Sequence, residues 1–425
     1  TFDDTIIFNF NFNSKLDIKL ISGYSKLIFS DYELNKKMFE CYENRYFHNC
    51  ELHNNYENCY EHNCHILKKK ACFIFEYKYS KFNQDVSNLP QSLTHLTFGC
   101  NFEKDVSKLP LSLTHLTFGI NFNGDVSNLP PFLTHLIFGL HFNQDVSNLP
   151  QGLTHLFFDN SFNQDVSFLP HNLTHLIFGW KFNQDISKLP LNLTHLIFGS
   201  YFNQDVSKLP QGITYLTFDL YFNSDVSKLP HNLICLYFGY YFNQDVSKLP
   251  QTLIYLHFGH CFNQDISKLP QTITYLSLGF NFIQQYDIPP NIKYLKLNCN
   301  NSYLINSLPD SIIELELNSD MEEKEEDEQE YEFNLELDNL PTSIKKLKIN
   351  AFSHYNADLN CLPDFIEELQ LNYYYKKRIL HIPPNLKKLI CHEDYPYIND
   401  FVLGHRVEIY SSIQNLMKIY TSSKN

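Results

Sequence analysis

Residues 81–100 read KFNQDVSNLPQSLTHLTFGC, and the same twenty-residue frame returns at 101, 121, 141 and onward through residue 280 without an insertion. The frame is x-F-N-Q-D-V-S-x-L-P-x-x-L-T-H-L-x-F-G-x. A fixed period of this kind marks a solenoid, in which each turn packs only on its neighbours. Leu96 and Phe98 are two apart and share one face of a strand, while His95 and Thr97 share the other. Pro90 cannot donate to a strand ladder, so Asn88–Ser92 reads as an extended return segment opposite the strand. Phe82, Val86 and Leu89 point inward from that return and join Leu93, Leu96 and Phe98 in the core. One turn buries little, whereas stacked turns bury a continuous core. The turn is too short for a strand plus a full helix. The expected fold is therefore a repeat solenoid with a single parallel β-sheet and mostly non-helical returns.

Composition narrows the function. The chain has 425 residues, 43% of them hydrophobic, with 37 Phe and 28 Tyr, which is ample for a core. A net charge of −14 argues against a nucleic-acid partner. Eleven cysteines, an odd number with no framework of spacings, fit a reducing compartment, and the expected location is cytoplasmic. No run approaches the roughly eighteen apolar residues of a membrane span, and no secretory leader opens the chain, so a membrane partner is not expected.

Beyond residue 280 the period loosens but the anchors persist. Ile288, Leu308, Leu340, Leu362 and Ile382 each precede Pro and are followed at +4 and +7 by apolar residues. Residues 281–391 thus hold five degenerate repeats after the ten regular ones of 81–280, which makes fifteen turns. The step from Leu308 to Leu340 is 32, twelve more than the period, and the surplus carries an acidic run near 319–332. Asp320 to Glu330 holds eight acids and one lysine, which reads as a solvated loop. In the terminal segment 392–425, Ser411 or Ser412 is placed to cap a helix with Ile413, Leu416, Met417 and Tyr420 on one face, closing the sheet.

The N-terminal segments differ in kind. In residues 1–45, apolar residues at Ile18, Ile21 and Tyr24 follow a helical period, and with Ile6, Ile7, Phe10 and Phe12 they suggest a small helical cap. Residues 46–80 form a linker rich in Cys, His, Asn and Tyr. Within it, Cys50-x-x-His53 and Cys59-x-x-His62 have a zinc-ligand spacing, although the biased composition favours an ordinary linker. Residues 71–79, ACFIFEYKY, alternate through Phe73, Phe75 and Tyr77 as a capping strand would.

Three stretches resemble known families. L-x-x-L-x-F at Leu93, Leu96 and Phe98 is similar to the strand core of leucine-rich repeats, and the whole unit F-N-x-x-x-x-x-L-P-x-x-L-x-x-L-x-F-G resembles the FNIP repeat, a relative of theirs. That resemblance covers nearly every turn of 81–280 and, in degenerate form, 281–391. It implies a leucine-rich-repeat-like fold, of a type found in social amoebae and in giant viruses that infect amoebae, frequently behind an F-box. D-D-T-I-I at 3–7 and D-I-K-L-I-S-G-Y-S-K-L at 17–27 resemble a truncated F-box without its leading Leu-Pro. An F-box implies docking on a Skp-type adaptor of a cullin ubiquitin ligase, with the solenoid selecting the target protein. The alternative is a binding or structural scaffold with no ligase link.

Three rows of side chains invite chemical readings. His95, His115, His135, His155, His175 and His195 hold one position in six successive strands, followed by Tyr215, Cys235, Tyr255 and Tyr275. Neighbouring imidazoles could share a metal, but duplication produces such a row from any residue, and a neutral stacked row is the simpler reading. Protonating neighbours would set like charges side by side, so the row should be acid-sensitive. Asp85 through Asp265 form a second row and the Asn83 position a third, both read as satisfying turn backbone. Ser87 and its copies recur in every turn, which argues against a unique nucleophile, and no glycine-rich phosphate loop is present. No catalytic residue, metal or cofactor is expected.

Variation within the repeats points elsewhere. It concentrates at the outward strand position and at the strand exit, where large and aromatic residues gather. The residues expected to meet a partner protein are His135, Phe157, His175, Trp180, Lys181, Tyr201, Tyr221, Tyr237, Tyr240, Tyr241, His257 and His260.

Overall fold

The computed structural model describes residues 5–8, 26–29, 80–298, 301–318, 337, 339–350, 355–401 and 406–410. They fall into two compact units, the first ending at Leu233 and the second running from Ile234. The first unit holds strands β1 (Thr5–Phe8), β2 (Lys26–Phe29), β3 (His95–Thr97), β4 (His115–Thr117), β5 (His135–Ile137), β6 (His155–Phe157), β7 (His175–Ile177), β8 (His195–Ile197) and β9 (Tyr215–Thr217). Each is parallel to the next in chain order, as in His95↔His115 and Leu96↔Leu116. The second unit repeats this order with β10 (Cys235–Tyr237), β11 (Tyr255–His257), β12 (Tyr275–Ser277), β13 (Tyr294–Asn298), β14 (Glu314–Asn318), β15 (Lys346–Ile349), β16 (Glu368–Gln370), β17 (Lys388–His392) and β18 (Arg406–Tyr410).

The sequence frame explains each turn. Leu96 and Phe98 face inward at 1% and 0% exposure, and Phe82, Val86, Leu89 and Leu93 are buried from the return side. Two tight turns flank Pro90, closed by Leu89 N–H to Val86 O (3.4 Å) and Leu93 N–H to Pro90 O (3.2 Å). A third follows the strand, closed by Phe102 N–H to Gly99 O at 3.3 Å. The Asp row works as the turn chemistry requires, since Asp85 Oδ1 accepts from Ser87 N–H at 2.9 Å and Oδ2 from the Ser87 hydroxyl at 2.9 Å. The Asn row links turns: Asn163 N–H donates to Asn143 Oδ1 and Asn183 N–H to Asn163 Oδ1, both at 2.9 Å.

Phenylalanine fills the core as a spine. Phe138 stacks on Phe142 of the next turn at 3.7 Å, and Phe142 continues to Phe162 at 6.2 Å. Each fully buried ring contributes roughly 1.5–3 kcal/mol from burial, and regular stacking repeats that gain in every turn. Close packing shows at Gly139, where an added Cβ would strike the Gly119 carbonyl. Asp159 stands at the same place in the next turn, and its Oδ1 accepts the Asn160 N–H at 2.7 Å.

One sequence expectation is corrected, while the expectation of mostly non-helical returns holds. Within the segment expected to be a helical cap, Thr5–Phe8 and Lys26–Phe29 are sheet strands, with Leu27 buried and paired to Leu96, while Ile18, Ile21 and Tyr24 lie outside the described residues. The reason is legible after the fact: Leu27-Ile28-Phe29 carries the same L-x-F pattern as Leu96-Thr97-Phe98. Among the degenerate repeats, the return between β13 and β14 is helical: α1 (Ser302–Asn306) is capped by Asn301, whose Oδ1 accepts the Leu304 N–H at 3.1 Å. The zinc-spaced segment, the strand at 71–79, the acidic run and the helix at 411–420 lie outside the described residues.

Candidate partner-binding surface

The sheet face opposite the core carries the histidine ladder. From His95 to His195 successive imidazoles stack with centroids 4.1–4.3 Å apart and planes within 10–12°. Tyr215 extends the row at 5.6 Å from His195. Each ring touches the hydroxyl of the preceding threonine, with Thr134 Oγ1 2.9 Å from His135 Nδ1 and Thr174 Oγ1 2.9 Å from His175 Nδ1. Burial first, then the neighbouring imidazoles, holds His115 and His155 down to about 4 and His175 to about 3. The rings are therefore neutral at neutral pH. Near-parallel rings aim their lone pairs side by side, not at one point, so adjacent members do not form a chelate. Among the described residues no group of three or more His, Cys, Asp or Glu side chains converges to hold a metal ion.

Along the strand exit of the first unit runs an aromatic stair. Trp180 stacks toward Tyr201 at 6.2 Å, and Tyr201 on Tyr221 at 5.2 Å with planes 3° apart. Tyr201 is 45% exposed and Tyr221 37%; Trp180 is half-buried and Lys181 exposed. Stacking along the solenoid axis fixes the rings while Tyr201 and Tyr221 stay exposed; the Trp180 indole nitrogen is buried. The second unit has its own group. Tyr237 lies 4.9 Å from Tyr255 and 5.9 Å from His257, and Tyr240 meets Tyr241 edge-on at 4.8 Å.

Two of the expected contact residues are not surface groups. Phe157 is only 9% exposed, because in the sheet it lies between Ile137 and Ile177 of the flanking strands. His260 is 7% exposed, sandwiched between Tyr240 at 4.4 Å and Phe280 at 5.2 Å. His135, His175, Tyr237, Tyr240, Tyr241 and His257 are half-buried.

Sequence reasoning missed two surface features. Leu111, Phe132, Phe168 and Leu191 stand out on the return side, Leu191 at 82% exposure, at positions that other turns fill mostly with polar residues. In the second unit the outer sheet face changes from aromatic to a lattice of opposite charges. Lys296 meets Glu316 at 3.2 Å, Lys348 meets Glu314 at 2.7 Å and Lys388 meets Glu408 at 3.1 Å. The signal was present as alternating sign at the same repeat position: Glu314, Lys346, Glu368, Lys388.

Comparison with known proteins places this architecture. The FNIP Repeat family model matches residues 82–120, 121–161, 142–181, 182–221, 225–261, 242–281, 281–320 and 355–394. The chain belongs to the FNIP-repeat family. Among solved structures it is similar to CroV588, described as a novel circular LRR protein, of the giant virus CroV, with 34% identity and a TM-score of 0.56 over 74% of this chain and 55% of that one. The chain thus spans about half the length of CroV588. It is also similar to YopM from Yersinia enterocolitica, at 19% identity and a TM-score of 0.43, covering 81% of this chain and 77% of that one. No curated protein matches the chain. The FNIP frame is a leucine-rich-repeat-type scaffold, a class suited to binding other proteins. Among the described residues no helix is long and apolar enough to cross a membrane.

Proposed function

We propose that this chain is a protein-recognition solenoid whose contact surface is the strand-exit edge. In the first unit that edge comprises Trp180, Lys181, Tyr201 and Tyr221; in the second, Tyr240 and Tyr241 hold the exit positions, and Tyr237 and His257 add the outward strand position of β10 and β11. The observation that carries the reading is the exposed Tyr201–Tyr221 stack. It stands where the repeats vary, on a frame whose other positions are nearly constant. Held tyrosines give large contact area at small entropic cost, which is why interfaces favour them. Binding also fits the repetition of every polar group, since a catalytic centre needs a unique arrangement. The test is photo-crosslinking from a benzoylphenylalanine placed at Tyr201, compared with one placed at Lys188 on the return side. A partner captured from the first position, competed by unlabelled protein and lost in Tyr221→Ala, supports the surface. Equal capture from both positions removes it.

The ligase reading is the finer one, in which residues 1–45 dock a Skp-type adaptor and the solenoid selects a target for ubiquitylation. It rests on the F-box resemblance at 3–7 and 17–27, some of which overlaps β1 and β2. We therefore assign recognition to the solenoid whether or not an adaptor binds. Co-purification with a Skp-type adaptor, for the full chain and for one lacking residues 1–45, decides the matter. A 1:1 complex lost on truncation establishes the link, and no complex at low salt removes it.

A further inference from the structure

The threonine row beneath the histidine ladder determines more than ring position. Thr134 Oγ1 lies 3.1 Å from the Thr114 carbonyl oxygen and 2.9 Å from His135 Nδ1. The same pair of contacts recurs at Thr114, Thr154, Thr174 and Thr194, with hydroxyl-to-carbonyl distances of 3.0–3.1 Å. A carbonyl can only accept, and a hydroxyl has one hydrogen. If that hydrogen goes to the carbonyl, Nδ1 must carry a proton and donate it to Oγ1, and both contacts are hydrogen bonds. If it goes to Nδ1, the hydroxyl oxygen faces the carbonyl oxygen lone pair to lone pair at the same distance. The carbonyl of Thr114 already accepts from Thr134 N–H at 2.9 Å and His135 N–H at 3.1 Å, so the hydroxyl makes a third, weaker donor. Two bonds still outweigh one bond and one repulsion.

We propose that His115, His135, His155, His175 and His195 are locked as Nδ1–H tautomers, which makes the ladder a row of hydrogen-bond acceptors that acid converts into a row of donors. Nε2 is the ring nitrogen farther from the backbone, so its lone pair is the group each ring turns away from the sheet. A neutral ladder accepts from a hydroxyl, amide or ammonium group and repels a carboxylate. A protonated one does the reverse. The rings titrate anticooperatively, because each lies 4.2–4.3 Å from the next and charging one raises the cost of charging its neighbour.

The surroundings add little charge to compete with this. The outer row beside the ladder is Thr117, Ile137, Phe157, Ile177 and Ile197, and the row on the other side is threonine. Among the described residues the titratable or charged neighbours are His95 and Lys26 of β2 at one end and Tyr215 of β9 at the other. Lys26 disfavours protonation of His95 and His115. The lock is thus built from hydroxyls and stacking, and a solenoid that repeats one turn multiplies it five times.

The experiment is long-range proton–nitrogen NMR on the full chain with nitrogen-15 in histidine, recorded without any partner. Five ladder imidazoles should show the Nδ1–H pattern, opposite to the Nε2–H form that free histidine prefers. In the double variant Thr134→Val, Thr154→Val, His135 and His155 should revert to Nε2–H while the other three keep their pattern. Thr134→Ser, Thr154→Ser retains the hydroxyls and should keep the lock, which separates loss of the bond from loss of fold. An Nε2–H pattern in the wild-type ladder, or an unchanged pattern in the valine variant, overturns the proposal. This outcome is independent of the exit-edge reading, because the tautomer is read on the isolated chain.

Discussion

Acid should loosen the first unit, and the ladder sets both direction and window. A histidine free in the unfolded chain protonates near 6.5, whereas in the fold burial and neighbouring rings hold His115 and His155 to about 4 and His175 to about 3. His95, His135 and His195 move the same way, with burial as the first cause. Below the unfolded value the unfolded chain binds more protons than the folded one, so stability rises with pH across this window. The contribution is intact above 6.5, declines as the pH falls toward 4, and is gone below the folded values. A displacement of that size is worth roughly 3 kcal/mol per ring if wholly shielded. The rings are half-buried, and solvent screening reduces this to roughly 1 kcal/mol each. Three such rings cost the unit about 3 kcal/mol, a large share of a typical 5–15 kcal/mol, and lower its melting temperature by roughly 5–10 °C.

The carboxylates do not confuse the window. Asp105, Asp185 and Asp245 are held below the usual 3.8 by bonds from the serine two residues on, so their protonation acts at still lower pH. The assay is thermal unfolding followed by circular dichroism at about pH 7.5 and about pH 4.5. Wild-type protein is compared with the triple variant His115→Tyr, His155→Tyr, His175→Tyr, which removes the three rings with the largest shifts. Tyrosine already fills this place at Tyr215, Tyr255 and Tyr275, so the substitution suits the sheet. Most of the acid loss should vanish in the variant. An unchanged wild-type melting temperature, or an equal loss in the variant, would refute the reasoning.

Phe142→Ala, at a ring with no exposure that stacks on Phe138 at 3.7 Å, should cost about 3–5 kcal/mol. Because turns contact only neighbours, hydrogen exchange should quicken around residues 120–162 and little elsewhere; uniform quickening would contradict nearest-neighbour packing. Lys348→Met removes the partner 2.7 Å from Glu314 on a nearly buried lysine and should destabilise the second unit by roughly 2–4 kcal/mol, read by chemical denaturation. Tyr201→Ala with Tyr221→Ala should change stability by less than about 1 kcal/mol yet weaken partner binding at least tenfold by titration calorimetry.

The architecture was legible because duplication writes the same physical requirement many times. L-x-x-L-x-F, Pro at the return and Asp-x-Ser at the turn each recur until a single reading remains. Where the requirement is written once, the signal fails: Leu27-Ile28-Phe29 is a strand of the same pattern, but without neighbouring copies a helical period through Ile18, Ile21 and Tyr24 competes with it. The surface was only partly legible. Alternation places Phe157 on the outer face, yet exposure there depends on the neighbours one strand away: it is 9% exposed, with Ile137 and Ile177 at the paired positions of the flanking strands. His260 varies between turns as a surface residue would, but Tyr240 and Phe280 occupy both its faces, so variation at that row reflects a second packing layer as much as recognition. Tyr201 and Tyr221 escape this because they sit one residue further along, at 45% and 37% exposure. In a repeat, then, a variable aromatic marks a contact surface only where the residue one turn away leaves it uncovered, and that relation is set by pitch and rotamer, which sequence spacing alone does not encode.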